Sequence, residues 1–120
     1  MPNPMLTGYR VLDITQIVAG PTCSRILAEM GAEVVKLELA PFGDRTRIGG
    51  LRSTKPEHKG CSQSTYFVQH NHSKKSLALD FKSEKARALI RSMIPKFDVL
   101  VENFSPGVMD RAGLGYEALK

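Results

Sequence analysis

The residues best placed to do chemistry follow predicted strands, because ligands of open parallel sheets bind outside the carboxyl ends of the strands. The loop at residues 15–21 follows the first strand, and its amides and the next helix N-terminus could receive a phosphate. Its only glycine is Gly20, whereas a dinucleotide fingerprint needs G-x-G-x-x-G, and only Glu38 stands where a ribose-binding acid belongs. NAD binding is therefore poorly supported, and a plain turn between strand and helix is the alternative interpretation.

Two neighbouring lysines, Lys74 and Lys75, enter the third predicted strand. Their ammonium groups could neutralise phosphates at this position. Paired lysines beside a strand more often form a solvated edge that discourages pairing with another sheet, and the pattern alone favours that interpretation.

An amide and an aromatic ring follow the fourth predicted strand, at Asn103 and Phe104. These residue types suit a purine, through hydrogen bonding and stacking respectively. A turn in which Asn103 caps the backbone and Phe104 packs in the core is an equal alternative. The guanidinium of Arg111, shortly afterwards, could reach a phosphate or pair with Glu102 or Asp110.

The histidines and cysteines do not predict a metal centre. The spacings His58-x-x-Cys61 and His70-x-His72 fall in or beside a predicted loop and bring no groups that would orient the rings, so surface histidines are the better interpretation. The carboxylates at predicted strand ends are Asp13, Glu38, Asp44 and Asp80. No spacing brings two of them together or forms a Ser-His-Asp or Cys-His arrangement, so we nominate no metal ligand and no catalytic residue.

The spacing of apolar residues predicts an α/β fold with a parallel sheet and flanking helices. The predicted strands cover residues 10–14, 33–38, 76–80 and 99–101. A helix after Gly20 carries an apolar stripe and ends at Gly31. The residues of that stripe are Cys23, Ile26, Leu27 and Met30. A strand, a helix and a strand in close succession indicate a right-handed crossover between parallel strands.

A second long helix is predicted from the N-cap Ser83 to Pro95. A short helical segment and a helix starting near Tyr116 follow the fourth strand. Between the second and third strands, residues 40–63 form a long basic loop, which in a compact domain either serves function or is disordered.

Composition is that of one small globular domain, since the 120 residues are 42% apolar and 24% charged. No stretch approaches the roughly 18 continuous apolar residues of a membrane helix, and the isolated Cys23 and Cys61 indicate no disulfide framework, so we expect a cytoplasmic protein. A net charge of +5 favours an anionic partner such as a nucleic acid, an acidic surface or a phosphate-bearing small molecule. Because Lys120 falls inside a predicted helix, we expect residues 1–120 to be part of a longer protein.

In order along the chain, several segments closely resemble the opening of family III CoA-transferases, the CaiB/BaiF family that includes formyl-CoA transferases. The segments cover residues 8–13, 19–21, 27–38, 43–47, 71–80, 98–104, 106–107 and 113–116. Chance does not account for all of them at compatible spacings. The resemblance implies that residues 1–120 are the amino-terminal CoA-binding part of a large Rossmann-like domain, in a subunit that interlocks with a second copy as a dimer.

The resemblance also implies which residues hold CoA. They are Val18, Ala19, Leu79, Lys82, Asn103, Phe104 and Arg111. Leu79 and Lys82 would contact the adenosine and phosphate region, while Asn103 and Phe104 would hold the nucleotide. Arg111 would bind a phosphate.

The family moves CoA between carboxylic acids through mixed anhydride and thioester intermediates on an aspartate. That aspartate is expected beyond Lys120, so the 120-residue chain alone is expected to be inactive. CoA and acyl-CoA are then substrates, and no prosthetic group is expected. This chain departs from several relatives at Leu39, where they carry an arginine against the adenine.

An acyl-CoA racemase is the nearest alternative, because that branch shares the amino-terminal fold and CoA site, although the segment 102–104 favours the transferases. A non-catalytic CoA-binding or nucleic-acid-binding module is the alternative of another class. Nucleic-acid readers usually add a basic helix face or an exposed aromatic platform, and neither is predicted here. We therefore expect an acyl-CoA and a carboxylic acid acceptor as partners, and neither nucleic acid nor membrane.

Overall fold

A computed structural model describes residues 3–48 and 64–120. Its centre is a four-stranded parallel sheet with the strand order β3-β2-β1-β4. The strands are β1 (Arg10–Ile14), β2 (Glu33–Leu39), β3 (Lys75–Leu79) and β4 (Val99–Glu102). Each strand predicted from the sequence is confirmed to within a residue at its ends, and the α/β fold is confirmed with them.

Helices flank this sheet. They are α1 (Ala19–Glu29), α2 (Thr65–Asn71), α3 (Glu84–Met93), α4 (Val108–Arg111) and α5 (Tyr116–Leu119), with single 3₁₀ turns at Arg45–Arg47 and Ile94–Lys96. Helix α2 was not predicted. Within the predicted loop at 40–63, residues 49–63, including His58 and Cys61, lie outside the described residues. None of the helices described is long and apolar enough to cross a membrane.

The order of the strands creates a crevice beside β1. The chain runs outward from β1 to β2 and β3, and then returns through α3 to place β4 on the other side of β1. The connection after β1 leads to β2 on one side, and the connection after β3 leads back to β4 on the other side, so the strand order reverses between β1 and β4. In open parallel sheets, ligands bind at this reversal of strand order.

Helix α1 packs on the sheet through small and polar residues in its first half and through Leu27 and Ala28 further along. Its buried residues are Gly20, Pro21 and Ser24, whereas Cys23 and Ile26 of the predicted apolar stripe are exposed. A Cβ at Gly20 would lie 2.4 Å from the Cβ of Thr15, so only glycine allows this close approach. The Ser24 hydroxyl donates to buried Asp13 at 2.6 Å. The predicted stripe is therefore only partly turned inward: its Leu27 packs on an apolar cluster of the sheet, while the fully buried positions of the helix hold small and polar residues.

The two faces of the sheet differ in chemistry because side chains alternate along each strand. On one face, Leu12 and Ile14 of β1 form a core with Leu37 and Ile90. On the other face, apolar packing is confined to the amino ends of the strands, in a cluster of Val11, Ala32 and Val34. Towards the carboxyl ends this second face becomes polar and buried, at Asp13, Lys36 and Glu38.

Candidate ligand-binding site

A cavity of about 700 Å³, here called the strand-end cavity, opens at the carboxyl ends of the strands. Its walls are Gln16, Ile17, Leu39, Ala40, Pro41, Phe42, Gly43, Arg45, Asp80, Lys82, Asn103, Phe104 and Ser105. These residues follow β1, β2, β3 and β4, so all four strands contribute to one site. Its size and position suit an organic ligand of the size of a nucleotide.

Asn103 joins the loops that follow β1 and β4. Its Oδ1 accepts from the amide of Gln16, and its Nδ2 donates to the Gln16 carbonyl, both at 2.9 Å. The two bonds together fix which way the side-chain amide faces, and they leave it one N–H and one lone pair. Asn103 therefore closes the crevice between the strands and retains a donor and an acceptor at the cavity wall.

The loop after β1 has an unusual backbone at Ile17, which has a φ of 72°. For a β-branched residue this left-handed conformation costs roughly 1–2 kcal/mol, so other contacts must hold it. The Ile17 amide points at Asp44 Oδ1, 3.5 Å away, and the Thr15 carbonyl accepts from Lys36 Nζ at 2.7 Å.

Lys36 and Asp44 form a buried ion pair under the cavity wall. Lys36 Nζ lies 3.0 Å from Asp44 Oδ2, and both side chains are almost completely buried. Asp44 Oδ1 also accepts from the amide and hydroxyl of Thr46, at 2.9 and 2.7 Å, which caps the 3₁₀ turn. Burial opposes ionisation of Asp44, but the bonds from Thr46 and Lys36 outweigh it and lower the pKa of the carboxyl.

Glu38 is the centre of a second buried pair. Arg47 donates to both Glu38 carboxylate oxygens at 2.6 Å, and Ser76 Oγ and the Asp44 amide donate at 2.6 and 2.9 Å. Burial alone would raise the pKa of Glu38, but these bonds lower it to about 2. The Arg47 guanidinium also lies over the Phe67 ring, 3.8 Å from its centre. Glu38 is fully engaged inside the protein, so it gives no support to a ribose-binding role.

Lys74, which directly precedes β3, is likewise paired inside the protein. Its Nζ donates at 2.9 Å to Asp13 Oδ2, the Pro21 carbonyl and Asn71 Oδ1, and its side chain is almost completely buried. Burial lowers the pKa of Lys74, with Asp13 opposing the change. The predicted solvated edge was therefore wrong for Lys74. It holds for Lys75, which is exposed and pairs with Glu33.

The structure brings several of the predicted CoA-binding residues together. Lys82, Asn103 and Phe104 line the strand-end cavity, and Leu79 is the register partner of Leu39 in its wall. Val18 and Ala19 are exposed directly after the loop that contributes Gln16 and Ile17. Arg111 is not in the wall, since its guanidinium covers Gly107 at the start of α4.

Sequence reasoning missed other wall residues, most notably Arg45 and Phe42. Phe42 is 83% exposed, so its ring is available to a ligand. Arg45 is exposed, while its neighbours Thr46 and Arg47 in the 3₁₀ turn face the interior. A signal was present, because both residues follow the end of β2, and sequence reasoning considered strand-end ligand groups only after the first and fourth strands.

The two described histidines have ordinary neighbours. His70 Nδ1 lies 3.0 Å from Thr22 Oγ1, and His72 Nε2 lies 3.2 Å from a carboxylate oxygen of Glu29. Across residues 3–48 and 64–120, no three His, Cys, Asp or Glu side chains are grouped as metal ligands would be.

Fold and cavity together define a parallel α/β protein with a nucleotide-sized site at the reversal of strand order. The chain belongs to CoA-transferase family III, whose sequence pattern matches residues 6–120. It is 44% identical over 118 residues to an acyl-CoA transferase of Fusarium pseudograminearum, and 44% identical over 115 residues to a formyl-CoA:oxalate CoA-transferase of Bradyrhizobium diazoefficiens. Each alignment covers 96% of this chain and 26% of the relative, so the chain spans about a quarter of their length.

Solved structures of similar proteins superpose closely on this chain. A CaiB/BaiF family protein from Brucella suis superposes with a TM-score of 0.85 at 35% identity, over 99% of this chain and 31% of that protein. A hypothetical protein from Mycobacterium tuberculosis superposes with a TM-score of 0.83 at 39% identity, over 99% of this chain and 30% of that one. The family resemblance inferred from the sequence is thereby confirmed.

Proposed function

We propose that the strand-end cavity binds the CoA portion of an acyl-CoA, and that the intact protein transfers CoA between carboxylic acids. The carrying observation is the composition of the cavity wall, where two exposed cations, Arg45 and Lys82, accompany two aromatic rings, Phe42 and Phe104. CoA offers phosphate groups to the cations and an adenine to the rings. Membership of a family of CoA-transferases makes CoA the ligand that accounts for both.

In this proposal the phosphates of CoA lie against Lys82 and Arg45, through charge-assisted hydrogen bonds. The adenine stacks on Phe42 or Phe104 and bonds to the free N–H and lone pair of Asn103. Leu79, behind Leu39, supports the apolar wall.

The exposed residues Val18 and Ala19 lie at the start of α1, where backbone amides favour an anion. We propose that they contact the part of CoA that lies nearest the crevice beside β1. Arg111 keeps its predicted phosphate role, which would need its guanidinium to leave Gly107.

The chemistry is proposed to use an aspartate supplied by sequence that follows Lys120 in the intact protein. Its carboxylate attacks the thioester carbonyl, the C–S bond breaks, and a mixed anhydride and the CoA thiolate form. The thiolate then attacks the aspartyl carbonyl, which releases the donor acid and leaves an aspartyl thioester. The acceptor carboxylate then attacks the aspartyl thioester carbonyl, the C–S bond breaks, and a second mixed anhydride and the CoA thiolate form. The thiolate attacks the acyl carbonyl of the acceptor in this anhydride, which gives the new acyl-CoA and releases the aspartate carboxylate. Asp80, in the cavity wall, instead uses Oδ1 to accept from the Lys82 amide at 3.0 Å.

We also propose that the intact protein is a cytoplasmic homodimer acting on an acyl-CoA and a carboxylic acid, without a prosthetic group. The similarity to an enzyme named for formyl-CoA and oxalate favours small carboxylic acids as a class. Alone, the 120-residue chain should bind CoA and lack turnover. Acyl transfer from an acyl-CoA to an added acid by the purified chain would contradict the proposed location of the nucleophile.

Calorimetric titration with CoA tests the binding proposal. Replacing Lys82 or Arg45 with alanine should weaken CoA binding about tenfold each, since one charge-assisted contact is worth about 1.4 kcal/mol. Lys85→Ala is the matched control, because Lys85 is an exposed lysine of α3 outside the cavity wall. Equal affinity in all four proteins, or no binding by the unmodified chain, would overturn the proposal.

A further inference from the structure

Three consecutive residues of the loop after β1 are each held by a side chain from elsewhere in the fold. Lys36 bonds the carbonyl of Thr15, Asn103 bonds both backbone groups of Gln16, and Asp44 faces the amide of Ile17. Two of these three anchors, Lys36 and Asp44, are one buried ion pair.

The pair reaches a second wall of the cavity as well. Asp44 caps the 3₁₀ turn Arg45–Arg47 through Thr46, and this turn presents Arg45 to the cavity. Gly43, just before it, has a φ of 72°, and a Cβ there would lie 2.8 Å from Glu38 Oε2. One carboxylate therefore ties together the loop after β1 and the turn after β2.

A contribution to the stability of the fold does not by itself explain why Lys36 and Asp44 form a buried ion pair. Removing two charges from water costs several kcal/mol per ion, and well-packed apolar residues in place of a buried pair are often neutral or stabilising. Apolar residues, however, would leave the Thr15 carbonyl and the Ile17 amide without these partners. The left-handed backbone at Ile17 would then lose what offsets its cost.

We propose that Lys36 and Asp44 are positioning residues for CoA binding, which set the relative placement of the loop at 15–17 and of Arg45. This inference rests on the proposed function of the strand-end cavity. The pair acts through the backbone of the two walls, and neither side chain is in the wall itself.

Two double variants separate positioning from folding. Lys36→Met with Asp44→Asn removes both charges but keeps an Oδ1 acceptor for Ile17 and Thr46, whereas Lys36→Met with Asp44→Leu removes the acceptor as well. We expect the Asn form, which loses the Lys36 bond to the Thr15 carbonyl, to bind CoA about tenfold more weakly than the unmodified protein, as for loss of one hydrogen bond with a charged partner. The Leu form, which also loses the Asp44 contacts, should bind at least about tenfold more weakly again. An Asn form that binds like the unmodified protein would remove Lys36 from the positioning role. Ile90→Ala, in the core on the opposite face, is the control for lost stability.

Affinity is measured well below the unfolding temperature of every variant, with the amide signals of Ile17 and Arg45 followed by NMR. These signals should move in the Leu form and stay in place in Ile90→Ala. Equal affinity for the Asn and Leu forms, or an equal loss in Ile90→Ala, would overturn the positioning role. If instead Lys82→Ala and Arg45→Ala leave CoA affinity unchanged, the proposed function itself fails, which is a separate result.

Discussion

The two sides of β1 differ in the kind of side chain that each one buries or exposes. Towards β2, charged side chains are buried and paired, as in Lys36 with Asp44 and Glu38 with Arg47. Towards β4, apolar side chains are exposed, and a groove of about 660 Å³ runs beside the strand. This β4 groove is lined by Ile94, Phe97, Val99, Leu100, Phe104, Met109, Leu114, Tyr116 and Leu119, among others.

The difference separates the wall that shapes the proposed CoA site from a surface that shares only Phe104 and Ser105 with it. On the β2 side, buried charges specify where loops lie, because each charge has a defined set of donors and acceptors. On the β4 side, apolar contacts are non-directional and the groove is open in the described part of the chain. Changes on the two sides should therefore have very different costs.

Arg47→Met should have the largest effect. It leaves the Glu38 carboxylate buried without its bidentate partner, which costs about 3–5 kcal/mol in comparable pairs. Urea denaturation measures the change, and Lys75→Met is the control because its pair with Glu33 is exposed to solvent and contributes little to stability. Similar losses in both variants would remove the distinction between buried and exposed pairs.

Acid should next weaken the β2 side. Glu38 has a pKa of about 2 in the folded protein against 4.5 for an ordinary glutamate, so below pH 4.5 the unfolded state binds the proton more readily. The resulting stability is fully present above about pH 4.5, falls by about 3 kcal/mol as the pH drops towards 2, and is lost below that. Denaturation curves between about pH 6 and about pH 2 measure this loss of stability. In Glu38→Gln, the free energy of unfolding should depend less on pH. An unchanged slope in that variant would contradict the assignment.

Phe42→Ala should weaken CoA binding about fivefold, since stacking of a base on an aromatic ring is worth about 1 kcal/mol or more. Tyr116→Ala is the control, because Tyr116 is an equally exposed aromatic in the β4 groove. A larger loss of affinity in Tyr116→Ala than in Phe42→Ala would place the ligand on the wrong side of β1 for this account.

The smallest effect is expected from Val99→Thr with Tyr116→Ser. Both side chains are exposed, so the free energy of unfolding should change by less than about 0.5 kcal/mol for each. Urea denaturation of the double variant checks this value. A loss of several kcal/mol would show that the β4 side is as specifically packed as the β2 side.

The strands and α3 could be predicted from the sequence because their apolar residues repeat at the spacing of the element. Helix α2 could not be predicted from that spacing, since it is one short element with Phe67 and Asn71 as its buried residues. Its start has a local signal, the Ser64 hydroxyl accepting from the Phe67 amide at 3.0 Å.

The buried charges were beyond sequence reasoning for a different reason. Lys36 and Asp44 are eight positions apart, and Lys74 and Asp13 sixty-one, so only the assembled sheet brings each pair together. The position after the fourth strand indicated Asn103 and Phe104, and the family resemblance added Lys82; all three line one cavity. The position of Arg45 and Phe42 after β2 is a sequence signal for a strand-end site, but that both line the cavity depends on the turn that Asp44 caps.

The central claim is that CoA binds at the carboxyl ends of the strands and not along β4. Two-dimensional ¹H–¹⁵N NMR of the 120-residue protein during a CoA titration tests it most directly. CoA bound in the strand-end cavity should shift the amide signals of Gln16, Gly43 and Lys82 and leave those of Tyr116 and Glu117 unchanged. Shifts confined to the residues of the β4 groove, or no shifts at saturating CoA, would contradict it.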